Sequence, residues 1–159
     1  MERTEQTATA ASGAVPPGTP AASGAAPSAT PATGTVTTAG EARALAEAVV
    51  RGRSGRAVRD EDVIDLLLVV SELVTNAIRH GGGLAGFDVR IVDEGVWIAV
   101  HDHSPVIPRA ADAFPTRHHG SGYGWPLVAR LARDISVTPR PEGGKTIGVL
   151  VPMRPAAGA

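Results

Sequence analysis

Between residues 60 and 83 the chain reads DEDVIDLLLVVSELVTNAIRHGGG. Val63, Leu66, Leu67, Val70, Val74, Ala77 and Ile78 recur there at the three- and four-residue spacing of one helical face. Acids at the start suit a helix N-terminus and glycines at the end suit its C-terminus. The stretch predicts a long amphipathic helix, and its apolar face requires a core built by the rest of the chain.

The remaining elements follow from local pattern. EARALAEAVV (41–50) has the content of a helix, and the Gly-rich, basic RGRSGRAVR after it places the break at Gly52 to Gly55. GFDVRIVDEGVWIAVHD reads as two short strands turned at Asp93, Glu94 and Gly95. PLVARLARD reads as a third helix, and ISVTPRPEGGKTIGVLVP as a second hairpin turned at Glu142 to Gly144. Helices, strands, a helix and more strands predict an α+β layer sandwich.

Composition bounds the folded unit and its partners. A chain of 159 residues has room for one ordinary domain. Residues 1–35 lie in a stretch of Ala, Pro, Thr, Gly and Ser that cannot bury enough apolar area to offset its ordering entropy, so they are expected to form a disordered tail. The domain is expected over 36–154, with a flexible tail at 155–159. The absence of cysteine excludes disulfides, thiolate nucleophiles and Cys-rich metal sites. A net charge of −1 gives no basic field for nucleic acid or an anionic membrane surface, so neither is an expected partner. Apolar runs such as LLLVV (66–70) fall far short of the roughly 20 residues that cross a bilayer. The start MERTEQ lacks the pattern of a secretory signal, so the expected location is the cytoplasm. One lysine against fourteen arginines fits a high-GC bacterial genome.

Certain polar residues are left over by this pattern. At 100° per residue Glu72 and Asn76 share a helix face almost opposite the Val63, Val70 and Val74 stripe. They read either as a solvated i,i+4 pair or as an oxygen-donor pair suited to Mg²⁺ and water chemistry at a cleft. Asp102 ends its strand where the chain enters a Pro- and His-rich segment, and is a site carboxylate or a turn residue. His101 and His103, and His118 with His119, read as loop histidines, since no spacing supplies a closed zinc set. In GSGYGWP, Gly120, Gly122 and Gly124 precede a helix with Pro126 in its first turn, an arrangement placed to hold phosphate. The stretch is neither a Walker A sequence nor a Rossmann fingerprint.

In order, SELVTNAIRHG, VHDHSP, GYGWPLVARLA and GGKTIGVLVP resemble the ATPase fold of histidine kinases, gyrase and Hsp90, most closely its small anti-sigma-factor kinase branch. The resemblance covers about 40–152 and implies a two-layer sandwich of helices on a mixed, mostly antiparallel sheet. It further implies ATP and Mg²⁺ as cofactors, Asn76 as the Mg²⁺ ligand and Glu72 as general base. Asp102 would read the adenine amino group, Gly122 and Gly124 would close a lid over the phosphates, and Thr146 would support the adenine pocket. Two departures stand out: Asp102-His103-Ser104-Pro105 replaces the usual Asp-x-Gly, and Trp125 replaces a smaller aliphatic residue. A short lid over about 106–121 contains Arg109 and Arg117, either of which could reach the γ-phosphate.

Only about 20 residues separate the tail from the long helix, which leaves no room there for a dimerising helix pair with a phospho-accepting His. The resemblance therefore implies a serine/threonine kinase that sequesters a sigma factor and phosphorylates a small antagonist protein. Relatives of this kind often dimerise, so a homodimer is among the expected states. The rival expectations are a binding module that uses ATP only to set its shape and a metal-dependent protein built on the histidines.

Overall fold

The computed structural model describes residues 32–33, 35–52, 57–107 and 124–156. Eight elements follow in chain order: β1 (Ala32–Thr33), α1 (Ala39–Arg51), α2 (Asp60–His80), β2 (Leu84–Val92), β3 (Gly95–Asp102), α3 (Gly124–Leu131), β4 (Asp134–Pro139) and β5 (Lys145–Pro152). The strands form one sheet in the order β1-β2-β3-β5-β4, every neighbouring pair antiparallel. All three helices lie on one face of it, with α2 between α1 and α3. The α+β expectation holds, and among the described residues the sheet is antiparallel throughout rather than mixed.

The core forms where α2 meets β3 and β5. Val63, Leu66, Val69, Val70, Leu73, Val74 and Ala77 of α2 are buried. Beneath them lie Phe87 and Val89 of β2, Val96, Ile98 and Val100 of β3, and Ile147, Val149 and Val151 of β5. Each such side chain contributes about 1.5–3 kcal/mol by leaving water. The stripe differs from the sequence expectation at its flanks. Val69 and Leu73 join it because α2 packs against two neighbours as well as the sheet, while Leu67 is half-buried and Ile78 is exposed.

Both ends of the domain extend past the expected bounds. Ala32 and Thr33, expected in the tail, pair with Val89 and Asp88 of β2. Pro155, expected in the C-terminal tail, bridges Val58, and the Ala156 N–H donates to the Ala57 carbonyl at 2.9 Å. Residues 1–31 and 157–159 lie outside the described residues. A capping box starts α1: the Thr38 hydroxyl accepts from the Glu41 N–H, and the Glu41 carboxylate accepts from the Thr38 N–H at 3.1 Å. The α1 C-cap is Gly52, at the near edge of the expected break; residues 53–56 lie outside the described residues.

Asp62, read from sequence only as an acid of the first helical turn, is 1% exposed. Its carboxylate accepts from the Arg154 N–H at 2.7 Å and from Arg154 Nη2 at 2.8 Å, clamping the segment after β5 to the start of α2. Burial alone would push the Asp62 carboxyl up, but the two Arg154 bonds and the guanidinium charge hold it below its ordinary value. A lowered carboxyl pKa stabilises the fold above the ordinary value of 3.8, and that contribution disappears as pH falls through the folded value. Asp62→Ala should therefore cost about 1–3 kcal/mol at neutral pH. In urea unfolding the gap between wild type and variant should narrow below pH 4, the acid side of that ordinary value.

Candidate functional site

The C-terminus of α2 abuts the end of β3, and a glycine makes the approach feasible. The Gly81 N–H donates to the carbonyls of Asn76 at 3.1 Å and Ala77 at 3.0 Å, while the Gly81 carbonyl accepts from the His103 N–H at 2.9 Å. A Cβ on Gly81 would stand 2.7 Å from the Ala77 oxygen and from Cβ and Cγ of Asp102. Gly82, at φ 72°, then turns the chain into β2 in a conformation that side chains disfavour.

Asp102 is 2% exposed, and three donor contacts hold its carboxylate. Oδ1 accepts from the Ser104 N–H at 3.0 Å, and Lys145 Nζ lies 3.1 Å from Oδ1 and 2.8 Å from Oδ2. The Lys145 ammonium also donates to the Ser104 carbonyl at 3.2 Å. Gly144, at φ 81°, lets the hairpin run against the Asp102 carbonyl, where a Cβ would overlap that oxygen.

Thr146, expected beside the adenine-reading carboxylate, is not brought there. Asp102 pairs in register with Lys145 and His101 with Thr146, so strand alternation turns Lys145 toward the helices and Thr146 to the opposite face. There Thr146 Oγ1 lies 2.7 Å from His101 Nδ1, and His101 Nε2 lies 2.9 Å from Asp88 Oδ2. His101 is thus a strand residue held between two partners rather than a loop histidine, while His103 is exposed; His118 and His119 lie outside the described residues. On the same outer face Arg90 stacks over Trp97, 5.9 Å from the ring centroid.

Glu72 and Asn76 stand one turn apart on α2, both half-buried, so they are not a solvated pair. The N-terminus of α3 meets Glu72: Gly124, its first residue, lies so close that a Cβ would overlap the Glu72 carboxylate. Pro126 falls in the first turn of α3, and Trp125 packs against the core. Gly122, Gly120, Arg109, Arg117 and the lid beyond residue 107 lie outside the described residues.

These contacts outline a candidate cleft along the C-terminal half of α2. One end holds a buried carboxylate and ammonium at the sheet; the other holds the Glu72 carboxylate beside the first residue of α3, with the Asn76 carboxamide one helical turn away. The first end suits a base with donor and acceptor edges, and the second suits an anionic group with a hard cation, for which Asn76 and Glu72 supply oxygen donors. Sequence reasoning missed Lys145, although the alternation of Ile147, Val149 and Val151 puts position 145 on the apolar face.

Because Gly81 joins these parts, Gly81→Ala should force α2 away from Asp102. The expected loss is about 1–3 kcal/mol in denaturant unfolding, the usual cost of overpacking a tight contact. An unchanged stability would show that the α2–β3 junction is looser than its distances indicate.

A model of the histidine kinase-like ATPase domain matches residues 32–149. The chain is 33% identical over 98 residues to an anti-sigma F factor of Bacillus licheniformis, a match spanning 55% of this chain and 67% of that protein. An anti-sigma F factor of Bacillus subtilis is 31% identical over the same shares of each chain. The signal transduction histidine-protein kinase AfsQ2 of Streptomyces coelicolor is 29% identical over 138 residues, 76% of this chain and 25% of that kinase. With α2, the strand-end Asp102 and the β4–β5 glycine hairpin all inside that match, the chain belongs to the histidine kinase-like ATPase domain family.

Proposed function

We propose that the chain binds ATP with Mg²⁺ in this cleft and acts as an anti-sigma regulator that phosphorylates a serine or threonine of a small antagonist protein. The observation that carries the reading is the half-buried Glu72–Asn76 pair on α2, with Glu72 against the first residue of α3, on the helix whose C-cap Gly81 meets the buried Asp102. The kinship with anti-sigma F factors supports a sigma factor as one partner; an antagonist of the anti-sigma factor is the proposed phosphoryl acceptor. No helix among the described residues is long and apolar enough to cross a membrane. Placement in the cytoplasm and a homodimeric state belong to the same proposal.

Each residue then has a role its position permits. Asp102 accepts a hydrogen bond from the adenine amino group. The Asn76 carboxamide oxygen holds the Mg²⁺, which when bound neutralises phosphate charge. Glu72, one turn away, takes the proton of the attacking hydroxyl as that oxygen bonds to the γ-phosphorus; the bond from phosphorus to the β–γ bridging oxygen breaks, and ADP leaves with its electron pair. The N-terminal N–H groups of α3, beginning at Gly124, would meet the phosphates; Gly122 is assigned to the same task by the sequence resemblance alone.

Calorimetry with ATP and Mg²⁺ should show binding, and Asp102→Asn should weaken it about ten- to a hundredfold, the loss of a charge-assisted hydrogen bond. No binding by the wild type would overturn the reading. Glu72→Ala should still bind ATP while transfer to the antagonist falls about 10²- to 10⁴-fold, whereas Asn76→Ala should weaken Mg²⁺-dependent binding itself. Transfer at the wild-type rate by Glu72→Ala, or ATP binding by a wild type that labels no antagonist, would favour a binding module without phosphoryl transfer.

A further inference from the structure

Lys145 is the only lysine in a chain with fourteen arginines. It is also a buried one, 5% exposed. A chain that uses planar guanidinium groups at every other basic position places a compact ammonium here, with three donors radiating from one atom. A buried ion pair contributes little net stability, because desolvation offsets its attraction. Codon usage and packing therefore leave the choice of lysine unexplained.

The hydrogen-bond capacity of the pair is incompletely used. A carboxylate offers about four acceptor sites. Asp102 receives the Ser104 N–H and two contacts from Lys145 Nζ, which leaves it one. One Lys145 N–H goes to the Ser104 carbonyl, and a single N–H shared between both Asp102 oxygens accounts for the 2.8 and 3.1 Å contacts, which leaves the ammonium one donor. Ligand-binding capacity at this end of the cleft is thus one acceptor and one donor on adjacent side chains.

We infer that Lys145 is a specificity-determining residue, its ammonium donating to ring nitrogen N1 of an adenine whose 6-amino group donates to Asp102. The inference rests on the ATP-binding reading and adds a second reader to it. Adenine carries that donor and that acceptor on neighbouring atoms of one edge, the complement of an Asp–Lys pair. Thr146, on the far face of the sheet, has no part in the contact.

The test compares Mg²⁺-ATP with Mg²⁺-1-deaza-ATP, in which a C–H replaces N1, by calorimetry on the full chain. The wild type should bind the deaza nucleotide about 10- to 100-fold more weakly, the loss of one hydrogen bond to a charged donor. Lys145→Met should bind the two within about twofold of each other, an indifference that a loss of packing alone would not produce. Since Met leaves Asp102 without its partner, the double variant Asp102→Asn/Lys145→Met, which removes both charges together, should show the same indifference. Equal affinities in the wild type, or a wild-type preference surviving in either variant, would overturn the inference. A wild type that binds neither nucleotide defeats the ATP-binding reading, and the inference with it, and so is distinct from a wild type that binds both equally.

Discussion

Burial of the α2 stripe against alternate residues of β3 and β5 decides which way every other side chain of the central strands points. Once Val96, Ile98 and Val100 face the helices, so must Asp102, and once Ile147, Val149 and Val151 do, so must Lys145. Two charged residues are carried to the helix side by a hydrophobic alternation in which they take no part. The same parity sends Trp97, His101 and Thr146 to the open face, where His101 bridges Thr146 and Asp88. A slip of one residue between β3 and β5 would exchange these sets and dismantle the cleft along with the core.

That dependence explains what the sequence revealed and what it hid. The helices and both hairpins were legible because their periods and turn residues are local, and the α2 face bearing Glu72 and Asn76 followed from 100° steps alone. The place of Lys145 was equally legible from strand alternation, yet the family pattern drew attention to Thr146 instead. The Thr38-x-x-Glu41 capping box was written in plain sequence and went unread. Other features had no local signal. Asp62 is buried by Arg154, 92 residues further along, and Ala32–Thr33 pair with β2 from within a compositionally featureless stretch. The closure of Gly124 on Glu72 likewise joins segments far apart in sequence, although glycine at that position was a sequence-level hint of close approach.

The two ends of the cleft differ in how they are held. Asp102 is fixed by Ser104, Lys145 and the bare flank of Gly81, so its carboxylate is already oriented, with little ordering left to lose if it binds the proposed base. Glu72 and Asn76 project from a rigid helix but remain half-buried, and neither side chain hydrogen-bonds another described residue. Rigid recognition at one end and uncommitted oxygen donors at the other suit a ligand whose base fixes its position and whose phosphates carry the chemistry.

Glycine joins the two ends. Gly81 brings the α2 turn that bears Asn76 against Asp102, Gly124 brings α3 onto Glu72, and Gly144 brings the β5 hairpin onto the Asp102 carbonyl. At each of these places a methyl group would occupy the space of Asp102 or Glu72, their side-chain atoms or backbone. Gly143, beside them at φ 96° with nothing within 4 Å of a Cβ, is required by its turn alone. The distinction separates glycines that shape the cleft from one that shapes only the chain, so substitutions at positions 81, 124 and 144 act directly on the site whereas one at 143 acts through the hairpin.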